Sequence, residues 1–170
     1  MSRAGLGMHS NTAQPRDSEA FRQACALFAT GVAVATVRAQ DGTPHGLTVS
    51  SFTSVSIEPP LILICIDFGC PFLAHFRLST HFAVNVLSEA QRELSVTFAQ
   101  KPEGRFEGVD WFTHKSGAPL LRGSLAIVEC RAASILETGD HAIFVGEVEH
   151  AQWSPGEPLL YFNRDYRSLR

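Results

Sequence analysis

No Cys-x-x-C pair occurs in the chain. Its four cysteines are Cys25, Cys65, Cys70 and Cys130, so the ligand spacing of a structural zinc site is missing. Seven histidines are scattered without metal-ligand spacing; His75 and His81, near an expected helix end, read as structural or exposed, and no metal is expected. Charge of one sign is lacking too. Fourteen Lys and Arg stand against 17 Asp and Glu, a net charge of -3, which leaves neither a basic surplus for nucleic acid nor an acidic tail. No apolar run approaches the roughly 20 residues of a membrane span. The opening segment MSRAGLGMHSNTAQPRD lacks the apolar core of a signal peptide. There is no G-x-S-x-G elbow of a hydrolase, no P-loop, and no G-x-G-x-x-G after a strand. A dinucleotide, if bound, must sit outside a Rossmann crevice.

What is present is an ordinary globular balance of 45% hydrophobic and 18% charged residues in 170, enough for one domain with a sizeable core. Residues 1–16, small and polar, are expected to form a flexible arm, and residues 17–170 a single domain without repeats. Three of the cysteines lie in apolar surroundings, where the thiol acts as a small hydrophobe. Reduced thiols and a cytoplasmic location are expected.

Asp17 to Ala29 reads as a helix capped by Asp17 or Ser18, with Phe21, Ala24, Cys25 and Phe28 forming a buried face. Val32–Ala39 and Leu47–Ser56 read as strands joined by Asp41-Gly42-Thr43-Pro44. Leu61–Ile66, a continuous apolar run, suits a strand buried on both faces. Cys70–Ser79 reads as a short helix and Phe82–Leu87 as a strand. Ser88 and Gln91 fit a capping box that opens a helix to about Ala99. Lys101–Thr113 reads as a loop. Leu125–Leu136, Ala142–His150 and Leu159–Phe162 complete the strands, the first two joined at Thr138-Gly139-Asp140. Many short strands with few helices argue for a mainly β fold, a β-barrel with flanking helices.

Four places carry candidate chemistry. In Gly46–Ser56 a strand's alternation puts Thr48, Ser50 and Ser54 on one face with Phe52 among them; small hydroxyl donors there suit the edge of a polar heterocycle, and a solvated strand face is the alternative. Asp67–Phe72 runs from a strand end toward a helix N-terminus, a setting for an anion or a plain connection. Lys101 and Arg105, in the loop with Phe106, suit a phosphate or solvent. Gly139-Asp140-His141 lies at a turn, where His141 can orient a substrate amide or simply follow the turn.

The ordered set FATGVAVAT (28–36), GLTVSSFTSVSIEPPLILICID (46–67), FAVNVLSEAQRELSVTFA (82–99), RFEGVDW (105–111), APLL (118–121), GDHAIFVGEV (139–148) and PLLYFNRDYRSL (158–169) resembles the flavin reductase domain family, the small reductase components of two-component flavin monooxygenases. The resemblance implies an FMN-binding split β-barrel, a homodimer with flavin near the subunit interface, FMN or FAD as flavin, and NADH or NADPH as donor. It implies that Thr48, Val49, Ser50 and Ser51 run along the isoalloxazine with Ser50 close to N5. Ser54 and Phe98 join the flavin-binding set. Asp67, Cys70, Phe72, Lys101, Arg105 and Phe106 approach the ribityl chain and phosphate, and His141 lies on the nicotinamide side. Ser50 and His141 are thus the expected catalytic pair, with reduced flavin passed to a monooxygenase. Cys70 and Phe72 stand where the family often carries hydroxyls, which leaves FMN against FAD open; Phe72 suits an adenine instead. A flavin- or haem-binding carrier, or a reductase of cobalt corrinoids, are the alternatives on the same fold.

Overall fold

The computed structural model describes residues 15–100 and 103–169. The chain runs through helix α1 (Pro15–Ala26), strands β1 (Thr30–Gly31), β2 (Ala33–Arg38), β3 (Pro44–Val49), β4 (Thr53–Ile57) and β5 (Pro60–Asp67), and helix α2 (Leu73–Leu78). Strand β6 (His81–Val86) and a 3-10 turn over Glu89–Gln91 lead into α3 (Arg92–Gln100). Strands β7 (Trp111–Phe112), β8 (Leu120–Leu121), β9 (Ala126–Thr138), β10 (His141–Trp153), β11 (Leu160–Phe162) and β12 (Asp165–Arg167) follow.

The fold is mainly β. Its centre is a seven-stranded antiparallel sheet in the order β3-β2-β6-β9-β10-β5-β4. Alternation explains the core. Ala33, Ala35 and Val37 of β2, Ile62, Ile64 and Ile66 of β5, Phe82 and Val84 of β6, and Phe144 of β10 all enter one buried cluster. Strands from distant positions in the sheet therefore share one interior. On the opposite face Val34 of β2, with Val32 just before it, packs with Leu87, Phe98 and Leu121, so β2 is covered on both sides. Its one buried hydroxyl, Thr36 Oγ1, donates to Pro119 O at 2.6 Å and accepts from Asn85 Nδ2 at 3.1 Å. Polar groups this deep need partners, and these bonds tie the loop before β8 to the sheet.

Several expectations are corrected. Helix α1 starts at Pro15, a residue type suited to a first helical turn, so Asp17 and Ser18 lie inside the helix and not ahead of it. It ends at Ala26, where Leu27 and Phe28 N–H groups turn back to Ala24 and Cys25 carbonyls and Asn163 N–H caps Ala26 O at 2.7 Å. The expected buried face is open: Phe21 is 69% and Phe28 76% exposed, and Cys25 is exposed. Helix α1 meets the rest of the chain through polar contacts, Asn163 N–H on Ala26 O and Arg164 on Glu19, and they leave its apolar side chains uncovered. The 47–56 strand is two strands; residues 50–52 turn a corner between β3 and β4, so Thr48, Ser50 and Ser54 do not share one strand face. The helix after Cys70 is shorter than expected, and Pro71 precedes it. Strand β5 alternates between buried and half-buried residues, so it is fully covered on one face only. A closed barrel is not found, since no ladder joins edge strands β3 and β4. Residues 1–14 of the expected arm lie outside the described residues.

Other local readings hold. Ser88 N–H donates to Gln91 Oε1 at 3.1 Å, completing the capping box ahead of α3. Gly139 takes the positive φ (59°) of the tight turn between β9 and β10, which glycine adopts without steric cost. Among the described residues no helix is long and apolar enough to cross a membrane, and the four cysteines are free thiols.

Candidate functional site

The corner between β3 and β4 is built by hydroxyls. Ser51 Oγ accepts Cys65 N–H at 2.9 Å and donates to Cys65 O at 3.2 Å, standing in for the strand pairing that the corner interrupts. Thr48 Oγ1 donates to Ser95 O on α3 at 2.7 Å. Both side chains are thus engaged by the protein, and Val49 is buried. Ser50, exposed at the apex, and Ser54, exposed on β4, present hydroxyls outward. Thr48, Val49 and Ser50 line a small cleft of about 170 Å³ with Tyr161 and Tyr166. Tyr166 shares a 2.8 Å hydrogen bond with Ser95 Oγ and lies under the Arg92 guanidinium.

A cavity of about 490 Å³ lies against the first half of β3 and is lined by His45, Gly46, Phe72, Arg105, Phe106 and Trp111, among others. Rings line part of its wall, at His45, Phe72, Phe106 and Trp111, and the carboxylates Glu103 and Glu107 stand beside Arg105 in the same lining. Phe106 meets Phe98 edge-on at 4.9 Å and Trp111 at 5.7 Å; Phe98 itself is wholly buried and supports the wall from behind. Gly46 is required there, because a Cβ would stand 2.8 Å from the Phe98 ring and 3.1 Å from Ala35 O. Arg105 crosses the cavity. Its Nη1 donates to Gly46 O at 2.7 Å, and its guanidinium lies 4.6 Å from the Phe72 ring centre. Partial burial lowers its pKa, with nearby Cys70 acting the other way, yet an arginine stays charged. His45 stacks with Phe72 (5.1 Å) and with His75 (4.1 Å, 8° between planes). Burial, then the neighbouring His75, lower the His45 pKa, with Asp41 opposing.

A third group sits where β5 meets β10. Asp67 and His141 are cross-strand partners, and Phe68 N–H bonds Asp140 O at 2.9 Å. His141 Nδ1 lies 2.6 Å from Asp140 Oδ1. That hydrogen bond is the leading cause of the lowered Asp140 pKa. Asp67 Oδ1 accepts Gly69 N–H and shapes the turn toward Cys70, which is half-buried. Cys65, the anchor of Ser51, is two residues from Asp67 on the same face, roughly 7 Å along the strand. The corner and the His141 turn therefore flank one edge of the sheet.

The structure thus gathers Phe72, Arg105 and Phe106 around one cavity, Thr48, Val49 and Ser50 along a second, and Asp67 with His141 at a sheet end. Lys101 lies outside the described residues. His45, Tyr161, Tyr166 and Trp111 escaped the sequence reading as site residues; Trp111 and the two tyrosines stand in stretches RFEGVDW and PLLYFNRDYRSL, whose aromatic content was the available signal.

Fold and cavities define a mainly β domain whose aromatic, arginine-edged cleft suits a phosphorylated heteroaromatic molecule. The chain belongs to the flavin reductase like domain family, whose model matches residues 25–170. It is 43% identical over 159 residues, 94% of its length, to a probable flavin reductase of Rhizobium meliloti, and spans 51% of that relative's own length. It is 39% identical over 155 residues to the reductase component of a Rhodococcus opacus 4-nitrophenol 4-monooxygenase/4-nitrocatechol 2-monooxygenase, covering 91% of this chain and 83% of the relative. The solved structure of a Streptomyces globisporus NADH:FAD oxidoreductase in complex with NAD and FAD fragments superposes with a TM-score of 0.86 at 38% identity, over 92% of this chain and 95% of that one.

Proposed function

We propose that this chain is an NAD(P)H:flavin oxidoreductase that moves a hydride from a reduced nicotinamide to FMN or FAD, the flavin then taking a proton from solvent and serving a partner monooxygenase. The observation that carries this reading is Arg105 lying 4.6 Å from the Phe72 ring centre in the lining of a cavity that also holds Phe106 and Trp111. A cation fixed by a backbone carbonyl and an aromatic face suits a phosphate on a heteroaromatic ligand. The relatives' names supply the nicotinamide, the flavins and the oxygenase.

The flavin, when bound, supplies a two-electron acceptor that protein side chains lack. The chain's own residues bind and orient. Ser50 and the backbone of Thr48, Val49 and Ser51 hold the ring edge, with Ser54 beside them on β4. Thr48 and Ser51 hydroxyls keep the corner rigid through Ser95 and Cys65. Asp67, Cys70 and Phe72 line the approach to the phosphate, with Arg105 and Phe106 on its other side and Phe98 as the brace; the sequence adds Lys101 to that set by its charge. His141, its Nδ1 held by Asp140, orients the nicotinamide amide. Hydride transfer needs position and polarity more than an acid or base.

The finer architecture is proposed as a split β-barrel spanning residues 17–170: the strands share one interior, and Ser51 bridges the corner to β5. A homodimer is the proposed working form, since Phe21 of α1 and Leu27 and Phe28 just after it are exposed, as are Ile135 and Leu136 of β9; a cytoplasmic location is proposed with it.

The test mixes purified protein with NADH or NADPH and with FMN or FAD, and follows nucleotide oxidation at 340 nm, a wavelength set by the dihydropyridine. Flavin-dependent multiple turnover is expected. A protein that binds flavin but never turns over would make it a carrier instead.

A further inference from the structure

We propose a second site, independent of the flavin reading: a centre for a divalent transition cation of the zinc class, formed by His114, Glu129 and His150. The one donor atom offered by each of the three lies within 4.8 Å of the others. Two imidazoles and a carboxylate are the donor set that zinc and its neighbours favour.

The arrangement is built by the sheet. Glu129 of β9 and His150 of β10 are cross-strand partners only because a bulge between Val148 and His150 shifts the register. Without it Glu149 would oppose Glu129. A one-residue slip turns a side chain to the other face, and a bulge commonly re-aims one for use. The bulge brings His150 beside Glu129, while Glu149 pairs with His81 and Arg131. His114, from the loop after β7, closes the group. Its Nδ1 lies 2.9 Å from Glu129 Oε2, and its ring centre lies 4.7 Å from that of His150.

Glu129 is a carboxylate with only 1% of its surface exposed, and a charge so deep is kept only where it is paired and hydrogen-bonded. Its Oε1 accepts both the N–H and the hydroxyl of Ser116, which fixes the carboxylate and leaves Oε2 toward the histidines. Such outer partners are a regular part of metal sites. Zinc at about 2.0–2.2 Å from each donor sets the donors roughly 3–4 Å apart. Seating it asks His114 to spread slightly from Glu129 and His150 to draw in. His114 is 43% exposed and His150 half-buried, so side-chain rotation suffices, and the open side admits water as a further ligand. The bound ion would pin the loop carrying His114 and Ser116 to β9 and β10.

The experiment uses the full chain stripped with a chelator. Zinc chloride is titrated in competition with a chromophoric chelator, and cobalt chloride is added in parallel for its visible spectrum. One zinc per chain is expected, with a rise in Tm. Cobalt should give ligand-field bands without the thiolate charge-transfer band that any of the four cysteines would produce. His114→Ala and His150→Ala, each at a partly exposed side chain, should lower affinity by at least about tenfold, and Ser116→Ala by about 10–100-fold. His141→Ala, which breaks up the other group of donors at Asp67 and Asp140, should keep the zinc. The proposal is overturned by absence of stoichiometric zinc, by a thiolate band, by undiminished affinity in the His114→Ala/His150→Ala double variant, or by loss of zinc in His141→Ala.

Discussion

Arg105 shows how much one side chain can organise. It ties the loop after α3 to β3 through Gly46 O and covers Phe72. Arg105→Ala is expected to weaken flavin binding about tenfold or more, since a hydrogen bond to a charged group is worth about 1.5–3 kcal/mol; fluorescence quenching of the flavin reads this, and unchanged affinity would remove Arg105 from the site. His141→Ala should slow turnover several-fold without abolishing it and raise the KM for NADH, because the residue orients rather than reacts; identical NADH kinetics would refute that role. His45 carries a pH effect. Its pKa in the fold lies below the ordinary 6.5, burial being the first cause and His75 the second. The unfolded chain then binds more protons than the folded one just below pH 6.5, so this group costs no stability above that pH and destabilises progressively as pH falls through it. His45→Asn should flatten the decline of Tm over that window, and an unaltered Tm profile would show that the stacked pair does not matter to folding.

At the scale of elements, β10 is the most informed strand. It carries two irregularities, at Val145/Gly146 and at Val148/His150. At the first, a Cβ on Gly146 would meet Phe82 Cζ at 2.6 Å and Cys130 Cβ at 2.7 Å. Cys130 lies wholly buried, its thiol pushed up to about 12 by burial and then by Glu149 and Glu129, and cannot move aside. Gly146→Ala should therefore destabilise by at least about 1–3 kcal/mol, the usual cost of overpacking, and urea unfolding measures it; a neutral result would mean that the sheet yields there. The β3–β4 corner teaches the complementary lesson. Hydroxyl density marked residues 48–54 as unusual, but alternation alone could not reveal that the chain turns at Ser50. The turn depends on Ser51 bonding Cys65, a residue 14 positions away.

For the whole molecule, the exposed apolar side chains of α1 and the two residues after it bear on the proposed dimer. Phe21, Leu27 and Phe28 are exposed, as is Leu136 of the β9–β10 hairpin, and these are the side chains that the proposed dimer would cover. Phe21→Ser/Phe28→Ser is expected to convert a dimer to a monomer in sedimentation velocity, and a wild-type chain that sediments as a monomer would dismiss the dimer. By itself the sequence determined the strand-rich class, the tight turn at Gly139, the capping box at Ser88 and the ordered motifs that mark the family, because each rests on local backbone preference or on short-range pattern. Only the tertiary structure decided that Arg105 lies on Phe72, that His45 stacks between Phe72 and His75, and that His114, Glu129 and His150 converge. Those meetings depend on strand order, on a bulge in β10 and on a corner in β3–β4, and pairings between residues far apart in the chain leave no periodic trace for the sequence to carry.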